Sequence, residues 1–143
     1  DTARDIAQES LLRFFRHLDR FDDGQPVDPW LFSIVRNQVR DHARREKVRR
    51  PESLDAWLEQ GGQKAAGPDG DPAAVAERNE LQRRVWRCIS ELSDAHREIV
   101  VLRDYHGLAY REMASVLSIP EGTVMSRLHA ARKRLREILR NEP

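Results

Sequence analysis

The sequence predicts an all-α protein made of two small helical domains joined by a flexible linker. Apolar residues recur at helical spacing in the first and last thirds of the chain, and only 6% of its residues are aromatic. Charged residues make up 34% and the mean hydropathy is −0.73, a composition that favours solvated helices over a sheet core. We therefore expect one domain over residues 1–50, a linker over 51–76, and a second domain over 77–143, built from four helices.

Two helices and a turn-rich loop are predicted in the first domain. The apolar stripe of the first helix comprises Ile6, Leu11, Leu12, Phe15 and Leu18. After the loop at residues 21–29, Asp28 can cap a second helix over residues 30–47, with Pro29 in its first turn. One side of this second helix is apolar, with Trp30, Leu31, Ile34, Val35 and Val39. Its other side carries Arg36, Asn37, Arg40 and Arg44.

The predicted linker is rich in glycine and proline, which break regular structure. It is longer than most loops within a domain, so we expect it to separate two domains. It is also acidic, because residues 51–80 contain seven acidic and two basic side chains. Two interpretations of Trp57 stay open: an anchor that docks a partner, or a cover for a small apolar patch.

The last domain has the pattern of a helix-turn-helix. Its first helix carries an apolar stripe, its second is capped by Ser93, and Gly107 is placed to end that second helix. A short third helix over residues 110–117 is followed by a tight turn at 118–120 and a longer basic helix over 121–139. A short helix, a tight turn and a longer basic helix together predict DNA binding in the major groove.

The two sides of the fourth helix differ. At 100° per residue, Leu128, Ala131 and Leu135 lie within about 40° of Val124 and form a stripe to be buried. The opposite side holds Gly122, Ser126, His129, Ala130, Lys133 and Arg136. Small and polar side chains let the start of a helix approach base edges, and longer cations reach phosphates. The alternative is an ordinary amphipathic helix packed on a bundle, which the basic bias of the exposed side disfavours.

The charge pattern and the remaining residues exclude several other classes of protein. Two basic segments flank the acidic one, at residues 36–50 and after Thr123, as expected for a polyanion held at two points. No apolar run is long enough to cross a membrane, no secretion leader is visible, and Cys88 fits a reducing cytoplasm. The five histidines show no metal-ligand spacing, so no metal or other cofactor is expected.

Two motif blocks resemble the bacterial sigma-70 family, most nearly its small extracytoplasmic-function (ECF) group. Residues 92–103 (LSDAHREIVVLR), 107–114 (GLAYREMA) and 119–128 (IPEGTVMSRL) resemble the family's C-terminal domain. Residues 1–9 (DTARDIAQE) resemble its polymerase-binding helix, and residues 30–37 (WLFSIVRN) with Asp41 resemble its promoter-melting helix. The resemblance covers nearly everything except the linker, and it implies an N-terminal domain that lacks its first helix here.

The resemblance also implies a role for each matched position. The clamp helices of the largest polymerase subunit would be contacted by Asp5, Gln8, Glu9 and Leu12. The minus-10 element would be held by Asp22, Asp23, Gln25, Trp30, Arg36, Asn37, Arg40 and Arg44. The minus-35 element would be contacted by Gly122, Thr123, Ser126, Arg127, His129, Lys133 and Arg136.

The implied function is that of a cytoplasmic sigma factor, which directs RNA polymerase core to promoters and performs no bond chemistry itself. Its expected partners are core polymerase (the clamp helices and the beta flap), promoter DNA and an anti-sigma factor, without membrane contact of its own. Three residues depart from the family pattern: Ala109, where relatives often carry a capping Ser or Thr, and Met125 and Ala130, where they are often basic. These departures shift the weight of the expected minus-35 contacts toward Ser126, His129 and Lys133.

Two other functions remain as alternatives. One is a helix-turn-helix activator or repressor that binds promoter DNA without being a polymerase subunit. The other is an adaptor that uses both domains to dock proteins and does not bind DNA. The helix with Asp5, Gln8 and Glu9, which resembles a polymerase-binding helix, and the block at residues 30–41 argue against the first alternative. The basic face of the last helix argues against the second.

Overall fold

The computed structural model describes residues 2–49 and 72–142, and every regular element in those two ranges is helical. The N-terminal domain contains α1 (Thr2–Arg16), a short 3-10 turn (Leu18–Arg20) and α2 (Val27–Arg49). The C-terminal domain contains α3 (Pro72–Ser90), α4 (Asp94–Val100), a π-helical turn (Val101–Tyr105), α5 (Tyr110–Leu117) and α6 (Glu121–Asn141). The all-α fold with a four-helix C-terminal unit is thus confirmed, while Trp57 lies outside the described residues.

The N-terminal domain is a pair of helices, α1 against α2, with a small buried contact. Ile6 and Ser10 are the buried residues of α1, and the Ser10 hydroxyl donates a hydrogen bond of 2.7 Å to the Ile6 carbonyl. At the other end of the pair, the Trp30 ring stacks on Phe21 at 5.1 Å and contacts Phe14 at 5.0 Å. These rings fix the loop at residues 21–26 against the start of α2.

The C-terminal domain is organised around one apolar core to which all four of its helices contribute. The core comprises Cys88, Leu92, Ile99, Val100, Leu102, Leu108, Met113, Val116, Leu117, Val124, Leu128, Ala131 and Ile138. Ile99, Met113 and Val124 are fully buried in it. Since α6 contributes one stripe to this core, its remaining sides are left at the surface.

Local capping explains where the C-terminal helices begin and end. The Ser93 side chain accepts a hydrogen bond from the backbone N–H of His96, as expected for an N-cap. Gly107 has φ +73°, a conformation available to glycine, and its N–H bonds to the carbonyl of Arg103. Ser118, with φ +55°, ends α5 in the left-handed region and turns the chain toward α6. The predicted bounds of α5 and the start of α6 are therefore confirmed.

Other boundaries differ from expectation. Helix α2 begins at Val27, three residues earlier than predicted, so Asp28 lies in its first turn and is not the cap. Helix α3 begins at Pro72, so the part of the predicted linker at residues 72–76 is helical. In both cases a proline falls within the first turn, where its missing N–H has no helical partner to lose. The π-helical turn after α4 was not predicted.

An ion-pair cluster joins the end of α6 to α3. The Glu142 carboxylate accepts a 2.7 Å hydrogen bond from Arg84 and a 3.2 Å hydrogen bond from the Cys88 thiol. The bond from Arg84 holds the pKa of Glu142 below its usual range, while burial raises the pKa of Cys88 to about 11. Cys88 is thus a protonated core residue near pH 7.

The two domains also pack on each other, with α2 against α5. Phe32 of α2 lies against the C-terminal core, and its ring is 4.4 Å from the ring of His106. Beside it, Arg36 pairs with Glu98, with Nε–Oε1 and Nη2–Oε2 distances of 3.2 and 3.4 Å. None of the helices within the described ranges is long and apolar enough to span a membrane.

We expect Ile99→Ala to lower the free energy of unfolding by about 2–5 kcal/mol, because it leaves a cavity in the centre of the core. Leu81→Ala on α3 is the matched control, since that side chain is 60% exposed, and it should change stability by about 0.5 kcal/mol or less. Urea unfolding followed by circular dichroism checks both values. Equal midpoints for the two variants would show that Ile99 does not support the fold.

Candidate nucleic-acid interface

The α6 helix presents one face to the core and one to solvent. Val124, Leu128 and Ala131 are buried, and Leu135 is partly buried against the core. The opposite face is exposed at all six predicted positions, namely Gly122, Ser126, His129, Ala130, Lys133 and Arg136. Thr123 and Arg127 of the predicted DNA-contact set lie half-buried at the side of this face. We call the six exposed residues the recognition face.

Helix α5 and the turn after it hold α6 in position. Val116 and Leu117 of α5 are buried in the same core as Val124. Ala109 precedes α5 and provides no side-chain cap, as its residue type predicts. The Glu112 carboxylate nonetheless reaches back and accepts a 2.8 Å hydrogen bond from the Ala109 N–H. Half of a capping box therefore stabilises the start of α5.

A bidentate ion pair fixes one side of α6. Two of the three guanidinium nitrogens of Arg132, Nε and Nη2, donate hydrogen bonds to the carboxylate of Asp104 in the π-helical turn. The Nε–Oδ2 distance is 3.0 Å. The neighbouring Arg103 bonds to the Leu108 carbonyl and lies over the Tyr110 ring. The pair engages Arg132, which flanks the recognition face, and limits rotation of α6 about its own axis.

The basic side of α2 is only partly at the surface. Asn37, Arg40 and Arg44 are exposed, as expected for side chains that contact DNA. Arg36 differs from them: its side chain is only 16% exposed, and it forms an ion pair with Glu98 of α4. The structure therefore places three of the four predicted α2 residues on one accessible surface and the fourth in the contact between domains.

The loop before α2 is a hydrogen-bonded turn. Asp22 accepts a bond from the Gly24 N–H through its side chain and one from the Gln25 N–H through its carbonyl. Asp22, Asp23 and Gln25 are exposed, whereas Trp30 is half-buried between Phe14 and Phe21. The indole faces are thus occupied by protein rings, so base stacking on Trp30 would need a rearrangement of this cluster.

The predicted polymerase-binding residues lie on α1. Asp5, Gln8 and Leu12 are exposed, and Glu9 is half-buried in an ion pair with Arg13. Large apolar side chains are exposed along the same helix and the turn after it, at Leu11, Leu12, Phe15 and Leu18. An apolar cleft of about 400 Å³ between α1 and α2 adjoins them. Exposed apolar patches of this kind mark protein-docking surfaces.

The contact between domains was missed by sequence reasoning. Phe32 lies off the apolar stripe of α2, and a bulky apolar residue outside the stripe was the available indication of a second contact. Glu98 and His106 gave no local indication of their partners. Within the two described ranges, no cluster of three or more His, Cys, Asp or Glu side chains is placed to hold a metal ion.

Two family models match the chain, one for each domain. The model for sigma-70 region 2 matches residues 1–49, and the model for sigma-70 region 4 matches residues 82–135. These are the two blocks that carry α1 with α2 and the helix-turn-helix.

Curated relatives align over most of the chain. The RNA polymerase sigma-H factor of Pseudomonas aeruginosa is 30% identical over 96% of this chain and 72% of its own length. The ECF sigma factor SigW of Bacillus subtilis is 30% identical over 97% and 76%, and the ECF sigma-E factor of Escherichia coli K12 is 32% identical over 90% and 69%.

Two solved structures share the fold. The sigma factor RpoE of Bartonella quintana, in complex with the anti-sigma factor NepR, has a TM-score of 0.74 and 26% identity over 98% of this chain and 82% of that chain. CnrH, in complex with the cytosolic domain of CnrY, has a TM-score of 0.65 and 26% identity over 98% of this chain and 72% of that chain.

The fold, the two matched regions and the helix-turn-helix define a transcription initiation factor. The chain belongs to the sigma-70 family of RNA polymerase sigma factors, in its ECF group. A regulator that acts without polymerase is not favoured, because the region 2 model covers the whole N-terminal domain.

We expect Ala109→Ser to raise the free energy of unfolding by about 1 kcal/mol, because the hydroxyl can accept from the N–H of Glu112 and complete the capping box. Ala95→Ser, an exposed substitution in the first turn of α4, is the control and should not stabilise. Thermal unfolding of the two variants checks this expectation. If both variants shift the midpoint of thermal unfolding equally, the missing side-chain cap at Ala109 does not affect the stability of the protein.

Proposed function

We propose that the chain directs RNA polymerase core to promoters by holding the minus-35 element on the recognition face of α6 and the minus-10 element on α2. The observation that carries this proposal is the recognition face itself, which is exposed at all six positions while the opposite stripe is buried. The bond-making chemistry stays with polymerase, and the protein acts in the cytoplasm, where polymerase and promoters are found.

The composition of the recognition face divides the minus-35 contacts into two kinds. Gly122 and Ser126 are small and lie in the first two turns of α6, which allows a close approach to base edges. Lys133 and Arg136 lie about two and three turns beyond Ser126 on α6 and carry the positive charge that contacts phosphates. His129 lies between Ser126 and Lys133 along α6. Met125, 49% exposed, and Ala130 offer apolar contact only, so base selection falls to Ser126 and His129.

The minus-10 contacts are assigned to α2 and to the loop before it. Asn37, Arg40 and Arg44 form an exposed cationic and polar row along α2 that suits a phosphate backbone. The exposed side chains of Asp22, Asp23 and Gln25 extend this surface toward the loop. Proteins hold single strands with a positively charged groove that follows the phosphate backbone and with side chains that contact the bases.

Polymerase core is assigned to the exposed side of α1, where Asp5, Gln8 and Glu9 border the apolar residues Leu11 and Leu12. One solved neighbour, RpoE, was determined in complex with the anti-sigma factor NepR, and the other, CnrH, with the cytosolic domain of CnrY. Together with the shared fold, this supports an anti-sigma factor as a further partner of this chain.

We expect the purified protein plus core polymerase to start transcripts from a promoter that core alone ignores. The promoter is found by sequencing the transcripts made from a fragmented genomic template, and the test is then run on that single fragment. Core alone and core with heat-unfolded protein are the controls. No protein-dependent transcript over the whole template pool would overturn the proposed function.

We expect Lys133→Ala to weaken binding to different DNA sequences about equally, because a phosphate contact is not specific for base sequence. The slope of log K against log salt concentration should become less steep by about 1. Arg83→Ala on α3 removes the same charge from an exposed helix away from the recognition face and serves as the control. Fluorescence anisotropy at several salt concentrations checks this expectation. An unchanged slope would remove Lys133 from the phosphate contacts.

A further inference from the structure

An acidic side chain lies beside the recognition face, where a negative charge opposes DNA binding. Asp104 in the π-helical turn accepts two hydrogen bonds from Arg132 of α6, and the Asp104 and Arg132 side chains remain 38% and 43% exposed. A carboxylate at this surface repels the phosphates of DNA as well as attracting the arginine. Asp104 therefore has two opposing effects on DNA binding, and the geometry of the pair decides between them.

The turn that carries Asp104 is tied to the segment that follows it. Arg103, its neighbour, donates a 2.7 Å hydrogen bond from Nη1 to the Leu108 carbonyl, and its guanidinium lies 5.0 Å from the centre of the Tyr110 ring. The Leu108 N–H bonds in turn to the Leu102 carbonyl at 3.0 Å. The backbone on both sides of Asp104 is thus held in place, so its carboxylate is a fixed support for Arg132.

The pair uses one edge of the Arg132 guanidinium and leaves another out of the pair. Asp104 accepts from Nε and Nη2, which form the side edge of the group. The end edge, formed by Nη1 and Nη2, carries a second fork of two N–H groups, because arginine has five N–H donors in all. Such a fork matches two oxygens of a phosphate. One guanidinium can therefore hold the carboxylate and a phosphate at the same time.

Arg132 lies at the border of the recognition face, near its basic end. At 100° per residue, Arg132 is about 40° from Arg136 and about 60° from His129 around α6. Arg136 also donates a 3.3 Å hydrogen bond from Nε to the Arg132 carbonyl. Lys133, the next residue, is assigned to phosphates, and arginines in such positions contact the backbone of DNA. The predicted set of DNA contacts did not include Arg132.

We propose that Asp104 is a positioning residue, which holds the Arg132 guanidinium ready to bind a backbone phosphate of the minus-35 element. This proposal rests on the assignment of that element to α6. A free arginine side chain loses its rotational freedom when it binds a phosphate, and this loss weakens binding. Asp104 has already restricted Arg132 in the protein without DNA, so less freedom is lost when the complex forms.

Positioning and simple charge predict opposite results when Asp104 is neutralised. If only charge acted, removing an acid near the phosphates would tighten DNA binding. If Asp104 positions Arg132, removing it weakens binding, because the guanidinium then has to be ordered by the DNA. Asp104→Asn separates the two effects, since asparagine keeps the shape of the side chain but not its charge or its second acceptor oxygen.

The test measures how tightly the complex of the full chain with core polymerase binds the promoter duplex found by transcript sequencing. We expect Asp104→Asn to weaken this binding about threefold to tenfold. Asp94→Asn is the matched control, because Asp94 is 76% exposed on α4 and pairs with Arg97 at 3.3 Å. The control should leave binding unchanged or tighten it slightly.

Two further measurements show whether Asp104 acts through Arg132. In an Arg132→Ala background, Asp104→Asn should no longer weaken binding. Neutral methylphosphonates, placed in turn at each phosphate of the minus-35 element, should weaken wild-type binding at a position that is insensitive in Arg132→Ala but still sensitive in Lys133→Ala.

Arg132→Lys keeps the test decisive if Asp104→Asn fails to fold. Lysine keeps the positive charge but lacks the fork, so binding should weaken about fivefold, as expected for the loss of one hydrogen bond. Circular dichroism of each variant establishes that it is folded at the temperature of the binding measurement.

Four results would overturn the inference. They are unchanged or tighter binding in Asp104→Asn, the same loss in the Arg132→Ala background, a loss shared by Asp94→Asn, and wild-type affinity in Arg132→Lys. Each can occur while the protein still starts transcripts with core polymerase, so each is distinct from failure of the proposed function. Absence of any protein-dependent transcript would instead overturn the proposed function, and this inference with it.

Discussion

The burial of one stripe of α6 in the C-terminal core is the constraint on which the nucleic-acid interface depends. Val124, Leu128 and Ala131 pack among Ile99, Met113 and their neighbours, and this fixes which side of the helix faces water. The Ser93 cap and the left-handed residues Gly107 and Ser118 act on the same packing, because they aim α4 and α5 at the surface that α6 covers. The recognition face is thus the side that remains after the apolar side has been used. Its polar residues lie outside the apolar core, so their side chains are not needed to pack α6 in the domain.

The basic side chains of this protein fall into two groups: some form ion pairs with acids of the protein, and others are exposed. Arg132 and Arg84 are held by carboxylates within the C-terminal domain, and they keep α6 fixed against the π-helical turn and against α3. Other basic side chains, including Lys133 and Arg40, are exposed and available to a polyanion. Arg36 belongs to neither group alone, because its partner is an acid of the other domain. A net charge of +1 conceals this division, because acids such as Asp104 and Glu142 are engaged in ion pairs within the protein.

Sequence patterns predicted best those features that depend on residues close to one another in the chain. The bounds of α5 and the start of α6 follow from Ser118 and the residues around it, and the buried stripe of α6 follows from helical periodicity. The start of α2 was misplaced because a proline tolerates several positions in a first turn, so Pro29 did not specify one register. The start of α3 was misplaced because Pro72 was interpreted as a helix-breaking residue of the linker, whereas it is the first residue of the helix. Docking of the domains was not predicted, because Arg36 and Glu98 are 62 positions apart and each fits an ordinary solvated helix face. Arg36 occupies the same position on the polar side of α2 whether it binds a phosphate or a carboxylate. The sequence pattern therefore does not distinguish the two partners.

The contact between the two domains combines one partly exposed ion pair with one apolar contact. A fully buried pair with a large apolar interface would hold the domains together permanently, whereas a pair that keeps partial contact with water can be exchanged for another anion. The exposed apolar side chains of α1, including Leu11 and Leu12, lie outside the surface on which α2 packs against α5.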